Sequence, residues 1–163
     1  MSSLKELEKF NPDSKVWVFT ANRVLSDTEI TQINSRLEEF AQSWVSHGDP
    51  LSARAFVLHR YFVILAVDNK MYLASGCSID TAMRFIQTLQ IDFDVDLLDR
   101  QSFVYLKDHK PVLIRRKDMK SAYRDGIILD DTLFFDPLVT SWQEMREGFL
   151  KPMRDFWMKN MIR

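Results

Sequence analysis

The chain has 163 residues, a length that fits one globular domain. Hydrophobic residues make up 46% of it and charged residues 28%, which is the composition of an ordinary globular protein with a sizeable core. The formal net charge of −1 gives no general attraction to nucleic acid or to an anionic membrane, so neither is expected as a partner. The single cysteine excludes an internal disulfide and any zinc site built on several cysteines.

Targeting and membrane signals are not visible in the sequence. The N-terminal residues lack the apolar core of a secretory signal peptide. The longest apolar run, residues 61–67, is too short to cross a bilayer as a helix. We therefore expect a cytoplasmic protein.

The first 50 residues predict two helices and one strand. Ser3 begins a capping-box pattern that predicts a short helix over residues 4–10. Residues 16–19 are β-branched and aromatic, which is typical of a strand buried on both faces. A second capping box begins at Ser26, and the amphipathic helix behind it is expected to end at Gly48.

A β-hairpin is predicted next. Residues 53–58 and 61–67 are rich in Val, Ile, Phe and Tyr, and the only interruption between them is His59-Arg60. A further short strand is predicted over residues 71–74, after a polar turn.

A helix and a second hairpin follow. Apolar residues recur at helical spacing over residues 79–89. Residues 102–106 and 111–115 flank a polar turn and predict two antiparallel strands. The resulting order of strands and helices resembles a ferredoxin-like split β-α-β unit with additions.

The last third predicts a short helix over residues 117–124, a strand around residues 133–135 and a helix that begins at Ser141. We expect Pro152 to kink or split this last helix. Large apolar side chains recur along it at intervals of four residues and form a stripe that we expect to pack on the core, with a homodimer or protein-partner contact as the alternative. The stripe contains Met145, Phe149, Met153 and Trp157.

The predicted fold class is α+β. We expect a mostly antiparallel sheet with two main helices on one face, formed by residues 1–110, and a small C-terminal α/β extension over residues 111–163. A single domain that includes both parts is the alternative.

The turn before the second main helix is the candidate ligand site. It contains Ser75, Gly76, Cys77, Ser78 and Asp80. Small residues at a helix start leave backbone N–H groups free, and these groups can bind an anion or activate a thiol. The alternative interpretation is structural: Ser78 or Asp80 caps the helix, Asp80 pairs with the arginine four residues on, and Cys77 fills a tight turn.

Arg23 is the remaining candidate ligand-binding residue. It directly follows the first predicted strand, and an arginine at a strand end can bind a carboxylate or a phosphate. An internal ion pair is the alternative, with the Asp99-Arg100 segment as its counterpart.

No catalytic residue, metal site or cofactor is predicted. The three histidines, His47, His59 and His109, are far apart in sequence and lack metal-binding spacing. Four aspartates recur between residues 92 and 99, but the glycine and the closing glutamate of a calcium loop are missing. We interpret this acidic segment as a solvated connector that follows a helix ending before Asp92.

The sequence resembles a small bacterial family of about this length whose members often carry the label "ABC transporter ATPase". The shared pattern includes residues 16–18 with Asn22-Arg23, His47-Gly48, the turn around Cys77, Asp99-Arg100, and residues 138–140 after Asp131-Thr132. The chain contains no G-x-x-x-x-G-K-[ST] phosphate-binding loop, so ATP hydrolysis is not expected.

The C-terminal third is similar to the small GYF-like modules of bacteria. This resemblance is carried by Pro111-Val112, Gly126-Ile127, residues 131–135 and Trp142. It implies that this part of the chain binds peptides or partner proteins.

The function that these observations favour is a non-enzymatic cytosolic interaction or accessory protein. The alternative is a binder of a small anion or small ligand, or an enzyme that acts on one, centred on the turn at residues 75–80.

Overall fold

The computed structural model describes residues 4–70 and 73–162. It confirms the α+β class, with helices and antiparallel strands in one chain. The strands are β1 Lys15–Thr20, β2 Val45–Ser46, β3 Asp49–Pro50, β4 Ser52–Leu58, β5 Phe62–Asp68, β6 Ser102–Lys107, β7 Lys110–Arg115, β8 Leu133–Phe135 and β9 Leu150–Pro152. The helices are α1 Asp27–Ser43, α2 Gly76–Phe93, α3 Arg116–Arg124, α4 Trp142–Gly148 and α5 Lys159–Ile162.

The first sheet has three strands in the order β1-β5-β4, and both pairs are antiparallel. Its central strand β5 has the sequence FVILAVD, and all seven of its residues are buried. A strand that is apolar on both faces requires a covering layer on each side. The hairpin turn between β4 and β5 is tight, since His59 and Arg60 both adopt positive φ.

Helices α1 and α2 cover one face of this sheet. Each begins with a capping box, Ser26 with Glu29 in α1 and Ser75 with Ser78 in α2. Their apolar stripes pack on the side chains that β4 and β5 direct to this face. The central members of this first cluster are Ile33, Leu37, Ile86, Leu89, Ala55 and Leu65.

A second sheet covers the other face. Its strand order is β7-β6-β8-β9, with antiparallel pairing throughout. Phe62 and Ile64 of the first sheet pack here with Val104 and Phe135 of the second, and Trp142 of α4 joins them. The outer face of the second sheet carries a third cluster of α3, α5 and the C-terminal residues around Phe156. The chain therefore forms four layers: helices, sheet, sheet, and an outer helical layer.

The ferredoxin-like topology is not confirmed. Strands β1 and β4 run in the same direction on either side of β5, as a split β-α-β unit requires. The strand that follows α2, however, is β6, and it pairs with β7 and β8 in the second sheet. The position beside β1 is instead touched by a single bridge between Lys15 and Ser141.

Several predicted boundaries differ from the structure. The first helix is a 3₁₀ turn over Leu4–Leu7, shorter than residues 4–10, and its predicted cap Ser3 lies outside the described residues. Helix α1 ends at Ser43, and Gly48 lies in the turn of the small β2–β3 ladder. Of the strand predicted over residues 71–74, Met71 and Tyr72 lie outside the described residues, and the other two are not in a strand.

The predicted C-terminal stripe does not form one helix. Helix α4 ends at Gly148, four residues before Pro152, and Pro152 is the last residue of the short strand β9, so the helix ends earlier than the predicted kink or split. Met145, Phe149 and Met153 are buried at 5% exposure or less, which removes them from any partner surface. Trp157 alone of the four predicted partner residues is exposed, at 42%.

The expected boundary between residues 110 and 111 lies inside β7, whose partner β6 precedes it. The cluster between the two sheets contains residues from both sides of this boundary. The division into two parts stays a prediction. Within residues 4–70 and 73–162, no helix has the length and apolar character needed to span a membrane.

We predict that neighbouring residues of β5 are equally sensitive to truncation. Ile64 and Leu65 are both 0% exposed, but their side chains enter the clusters on opposite faces of the sheet. Ile64→Ala and Leu65→Ala should each lower the free energy of unfolding by about 2–5 kcal/mol, measured by urea denaturation. A loss below about 1 kcal/mol for either variant would show that its face of β5 is not a packed core.

Candidate functional site

The predicted ligand site at residues 75–80 is a helix cap. Ser75 caps α2: its hydroxyl accepts from the Ser78 N–H at 3.2 Å, and the Ser78 hydroxyl accepts from the Ser75 N–H at 2.6 Å. Ser78 is buried, and its carbonyl accepts from the indole N–H of Trp44 at 2.8 Å. The serine hydroxyls of this turn therefore bond within the protein.

The other residues of this turn point to solvent. Cys77, Gly76 and Asp80 are exposed. The expected ion pair of Asp80 with Arg84 is not formed; Arg84 donates instead to the hydroxyl of Thr81 at 3.3 Å. Cys77 lines neither of two cavities formed by the described part of the chain.

Arg23 lies at the opposite end of α2. Its guanidinium donates to both carboxylate oxygens of Glu29, at 2.9 and 2.7 Å, and to the carbonyl of Phe93 at 2.7 Å. The 18 residues of α2 separate Phe93 from Gly76 by ~26 Å. The structure therefore does not bring Arg23 together with the turn at residues 75–80, and the internal ion pair is the interpretation it supports.

This ion pair joins the end of α2 to the start of α1. The hydrogen bonds from Arg23 are the main cause that lowers the pKa of Glu29 to about 2, with a further contribution from the backbone of Ser26. The same pair raises the pKa of Arg23. A guanidinium beside the last carbonyls of α2 is also favoured by the helix dipole.

The acidic segment after α2 is structural, although the helix ends at Phe93 and not before Asp92. Asp92 pairs with Arg36 at 2.7 Å. Asp96 accepts from two backbone N–H groups, and Asp99 pairs with Arg115 at 3.3 Å. Residues 4–70 and 73–162 contain no group of three or more His, Cys, Asp or Glu side chains that could hold a metal ion.

The three histidines occupy three different turns. His47 lies between β2 and β3, His59 between β4 and β5, and His109 between β6 and β7, all with positive φ. The ring of His59 packs on Phe135 at 4.9 Å, and desolvation by burial lowers its pKa. Each histidine thus belongs to a separate hairpin.

A groove that the sequence did not reveal lies along the outer edge of β1. Ala21 N–H donates to the carbonyl of Tyr61, its directly opposite residue, at 2.6 Å. In an antiparallel ladder the backbone groups of successive residues point to opposite edges of the strand. Because Ala21 bonds to the β5 side, the odd-numbered residues of β1 direct their N–H and C=O groups to β5. The N–H and C=O groups of Val16, Val18 and Thr20 therefore point away from β5, toward the outer edge.

Backbone N–H groups at both ends of this outer edge have hydrogen-bond partners, and the stretch between them does not. Val16 N–H donates to the carbonyl of Thr140 at 3.1 Å, and Asn22 N–H donates to the carbonyl of Asp96 at 3.0 Å. Between these two points, the described part of the chain supplies no backbone partner to Val18 or Thr20 on the outer edge.

The open stretch forms the floor of a cavity of about 730 Å³. We call this cavity the edge groove. Its two walls are the segments 97–103 and 137–140. Thr20 lines it at 5% exposure, and its hydroxyl has no hydrogen-bond partner. At the rim, Leu98, Leu138 and Trp157 are 37%, 55% and 42% exposed.

The charge at the edge groove is positive. Arg100 and Arg116 line it and are exposed, and neither lies within 4 Å of a carboxylate in the described residues. The nearest contact of the Arg116 guanidinium is the sulfur of Met161, at 3.9 Å. Asp99, the acidic residue of the lining, is bound to Arg115 and Ser102.

Comparison with known proteins gives no relative: no family model, no curated protein and no solved structure matches this chain. The resemblances to the bacterial family labelled "ABC transporter ATPase" and to GYF-like modules stay predictions.

We predict that Glu29→Gln removes a pH-dependent part of the stability. Gln retains the capping geometry but not the charge. Since the pKa of Glu29 falls from about 4.5 in the unfolded chain to about 2 in the fold, the stabilisation is complete above pH 4.5 and lost as the pH falls toward 2. The variant should be less stable by about 1 kcal/mol at pH 7, a value reduced by the partial exposure of the pair.

Urea denaturation at several pH values measures this difference. Glu39→Gln, at an exposed position of the same helix with no ion pair, is the matched control and should change stability by less than about 0.5 kcal/mol. A constant difference between wild type and Glu29→Gln from pH 7 to pH 2 would contradict the ion-pair interpretation.

We predict that Cys77 reacts as an unprotected surface thiol. Because its side chain is exposed, the rate of reaction with a disulfide reagent should be within about threefold of the rate in urea. Inorganic phosphate at millimolar concentration should not slow the reaction of the native protein. Clear protection by phosphate would restore residues 75–80 as an anion site.

Proposed function

We propose that this protein is a non-enzymatic interaction protein whose contact surface is the edge groove. The observation that carries the proposal is the open stretch of β1 at Val18 and Thr20, set between walls with three exposed apolar residues. Contiguous exposed apolar surface next to unsatisfied polar groups is typical of a binding site for another molecule.

The distribution of polar side chains supports a binding role over a catalytic one. The ion pairs of Arg23 with Glu29 and of Lys151 with Asp136 join elements of the fold. The edge groove is lined by one carboxylate, Asp99, which is engaged by Arg115. A catalytic site needs a nucleophile or a base placed beside an activating group. The lining brings one hydroxyl beside a carboxylate, Ser102 with Asp99, but the Arg115 guanidinium donates to both of them, so both are engaged within the protein.

The surface proposed here replaces the predicted C-terminal stripe. Trp157 is common to both, since it is exposed and lines the edge groove. The C-terminal third contributes one wall through residues 137–140, so its resemblance to partner-binding modules agrees with this location. The alternative of an anion binder at residues 75–80 gains no support from the geometry of that turn.

We predict that peptides selected on the wild-type protein bind through the edge groove. A phage-displayed library of random peptides is the probe, and the full chain is immobilised. Leu138→Arg places a long charged side chain at the rim, so it should weaken the selected peptides at least tenfold. Binding is measured by fluorescence polarisation with synthetic copies of the selected peptides.

Leu129→Arg is the matched control. Leu129 is 52% exposed, close to the 55% of Leu138, but it does not line the edge groove. Its affinity for the selected peptides should stay within twofold of wild type. The proposal is overturned if the library yields no enriched peptide, or if both leucine variants bind the peptides as the wild type does.

A further inference from the structure

We infer that the edge groove takes up an extended, acidic peptide segment by adding it to β1 as a further strand. This inference rests on the proposed function and names the mode of binding and the class of partner. The occupant completes an interrupted hydrogen-bond ladder in the interior of the molecule.

The backbone of β1 sets the first requirement on the occupant. The outward N–H and C=O groups of Val18 and Thr20 are spaced as in a strand edge, and the described residues provide backbone partners on this edge before and after them, at Val16 and Asn22. A row of alternating donors and acceptors is matched by another extended backbone, which offers the same alternation. Asn22 lies six positions after Val16, which corresponds to ~20 Å of strand. The open stretch between their two native partners therefore accommodates about four residues of peptide.

The recessed position of this edge selects a flexible segment over a second copy of the chain. The segments that form the walls approach this edge at the two ends of the open stretch, where Thr140 bonds to Val16 and Asp96 bonds to Asn22. The β1 edge of another copy lies between the same two walls, so two such edges cannot approach to the strand spacing of about 4.8 Å. A single peptide strand carries no walls of its own, so it needs only the space of one strand beside β1.

The walls give the occupant a pattern of alternating environments. Trp17 and Phe19 belong to the cluster on the helical side of the sheet, whereas Val16 and Val18 belong to the cluster between the two sheets. An added strand directs successive side chains to these two sides in turn. Of the lining residues, Met83 and Leu97 lie with the cluster on the helical side, and Val139 belongs to the cluster between the two sheets. Apolar residues at alternate positions of the peptide satisfy both sides.

Thr20 and the two arginines supply the polar requirements. The Thr20 hydroxyl is buried and without a partner, a state that costs free energy until a ligand group bonds to it. Arg100 and Arg116 are held near each other, since Arg116 N–H donates to the carbonyl of Gln101 at 2.8 Å. Two guanidinium groups without carboxylate partners favour an aspartate, a glutamate or a terminal carboxylate in the peptide.

The binding mode is tested with fluorescein-labelled, capped hexapeptides from a positional-scanning library in which valine alternates with varied residues. Acidic residues should be enriched at one varied position, and replacement of that residue by lysine should weaken binding at least tenfold. Each peptide nitrogen is methylated in turn. Methylation at every second position should abolish binding, and methylation at the positions between them should leave the affinity within threefold, because a strand uses every second N–H in one ladder.

Three variants of the protein test the groups on the protein side. Val18→Pro removes an outward N–H that the β1–β5 ladder does not use, and should lower affinity at least tenfold. Thr20→Val should weaken binding while the thermal midpoint of the free protein stays equal or rises, since an unsatisfied hydroxyl is lost. If Thr20 had a purely structural role, Thr20→Val would lower both the affinity for the peptide and the thermal midpoint of the free protein.

The double variant Arg100→Gln with Arg116→Gln should lose at least tenfold in affinity for the acidic peptides, and the salt dependence of binding should become weaker. Lys117→Gln with Lys120→Gln is the matched control, because it makes the same change in net charge at exposed positions of α3 outside the edge groove. The control should stay within twofold of wild type.

Hydrogen exchange of the complex separates this inference from the proposed function, and it does not depend on Val18→Pro folding. The amides of Val18 and Thr20 should become protected when the peptide binds. If peptides bind in a Leu138-dependent manner while both amides stay unprotected and the methylation scan is flat, strand addition is wrong and the interaction role remains. A dimer in sedimentation that forms without peptide and protects these amides would assign the edge to a second copy.

Discussion

The burial of β5 on both faces is the constraint on which the rest of this structure depends. Its seven residues, FVILAVD, leave no face for water. Helices α1 and α2 cover one side, and the sheet of β6 to β9 covers the other. Because burial of apolar area is the dominant favourable term in folding, both layers are required by one short strand.

The same constraint explains why one edge of the first sheet is incomplete. In the four-stranded sheet of a ferredoxin-like fold, the strand that follows the second helix would pair with β1. Here that strand is β6, and it builds the second sheet, where Val104 packs against the face of β5. Among the described residues, the outer edge of β1 then has backbone partners near its two ends, with Thr140 at one end and Asp96 at the other. An interior edge with free backbone groups is therefore a consequence of how the two layers divide the strands.

Much of the fold follows from local patterns in the sequence. The capping box at Ser26 and the hairpin turns at His59-Arg60 and before Lys110 all depend on residues close together in the chain. The sheet that β6 joins is decided by contacts with residues far away in the chain, so the sequence pattern around β6 does not predict it. The helical spacing of Met145 and Phe149 holds in α4, but Met153 lies in a separate 3₁₀ turn, because the chain leaves the helix after Gly148 to form β9.

The sequence by itself determined the class of the fold, most of its strands and helices, and the absence of a phosphate-binding loop, since each of these depends on local composition and spacing. It placed a helix start in this turn but with Ser78 or Asp80 as the cap, whereas the cap is Ser75 and Ser78 completes the capping box. Only the tertiary structure decided that Arg23 and Cys77 lie at opposite ends of α2 and that Val18, Thr20, Arg100 and Trp157 share one groove. Residues this distant in sequence meet only through packing, and no local pattern encodes that proximity.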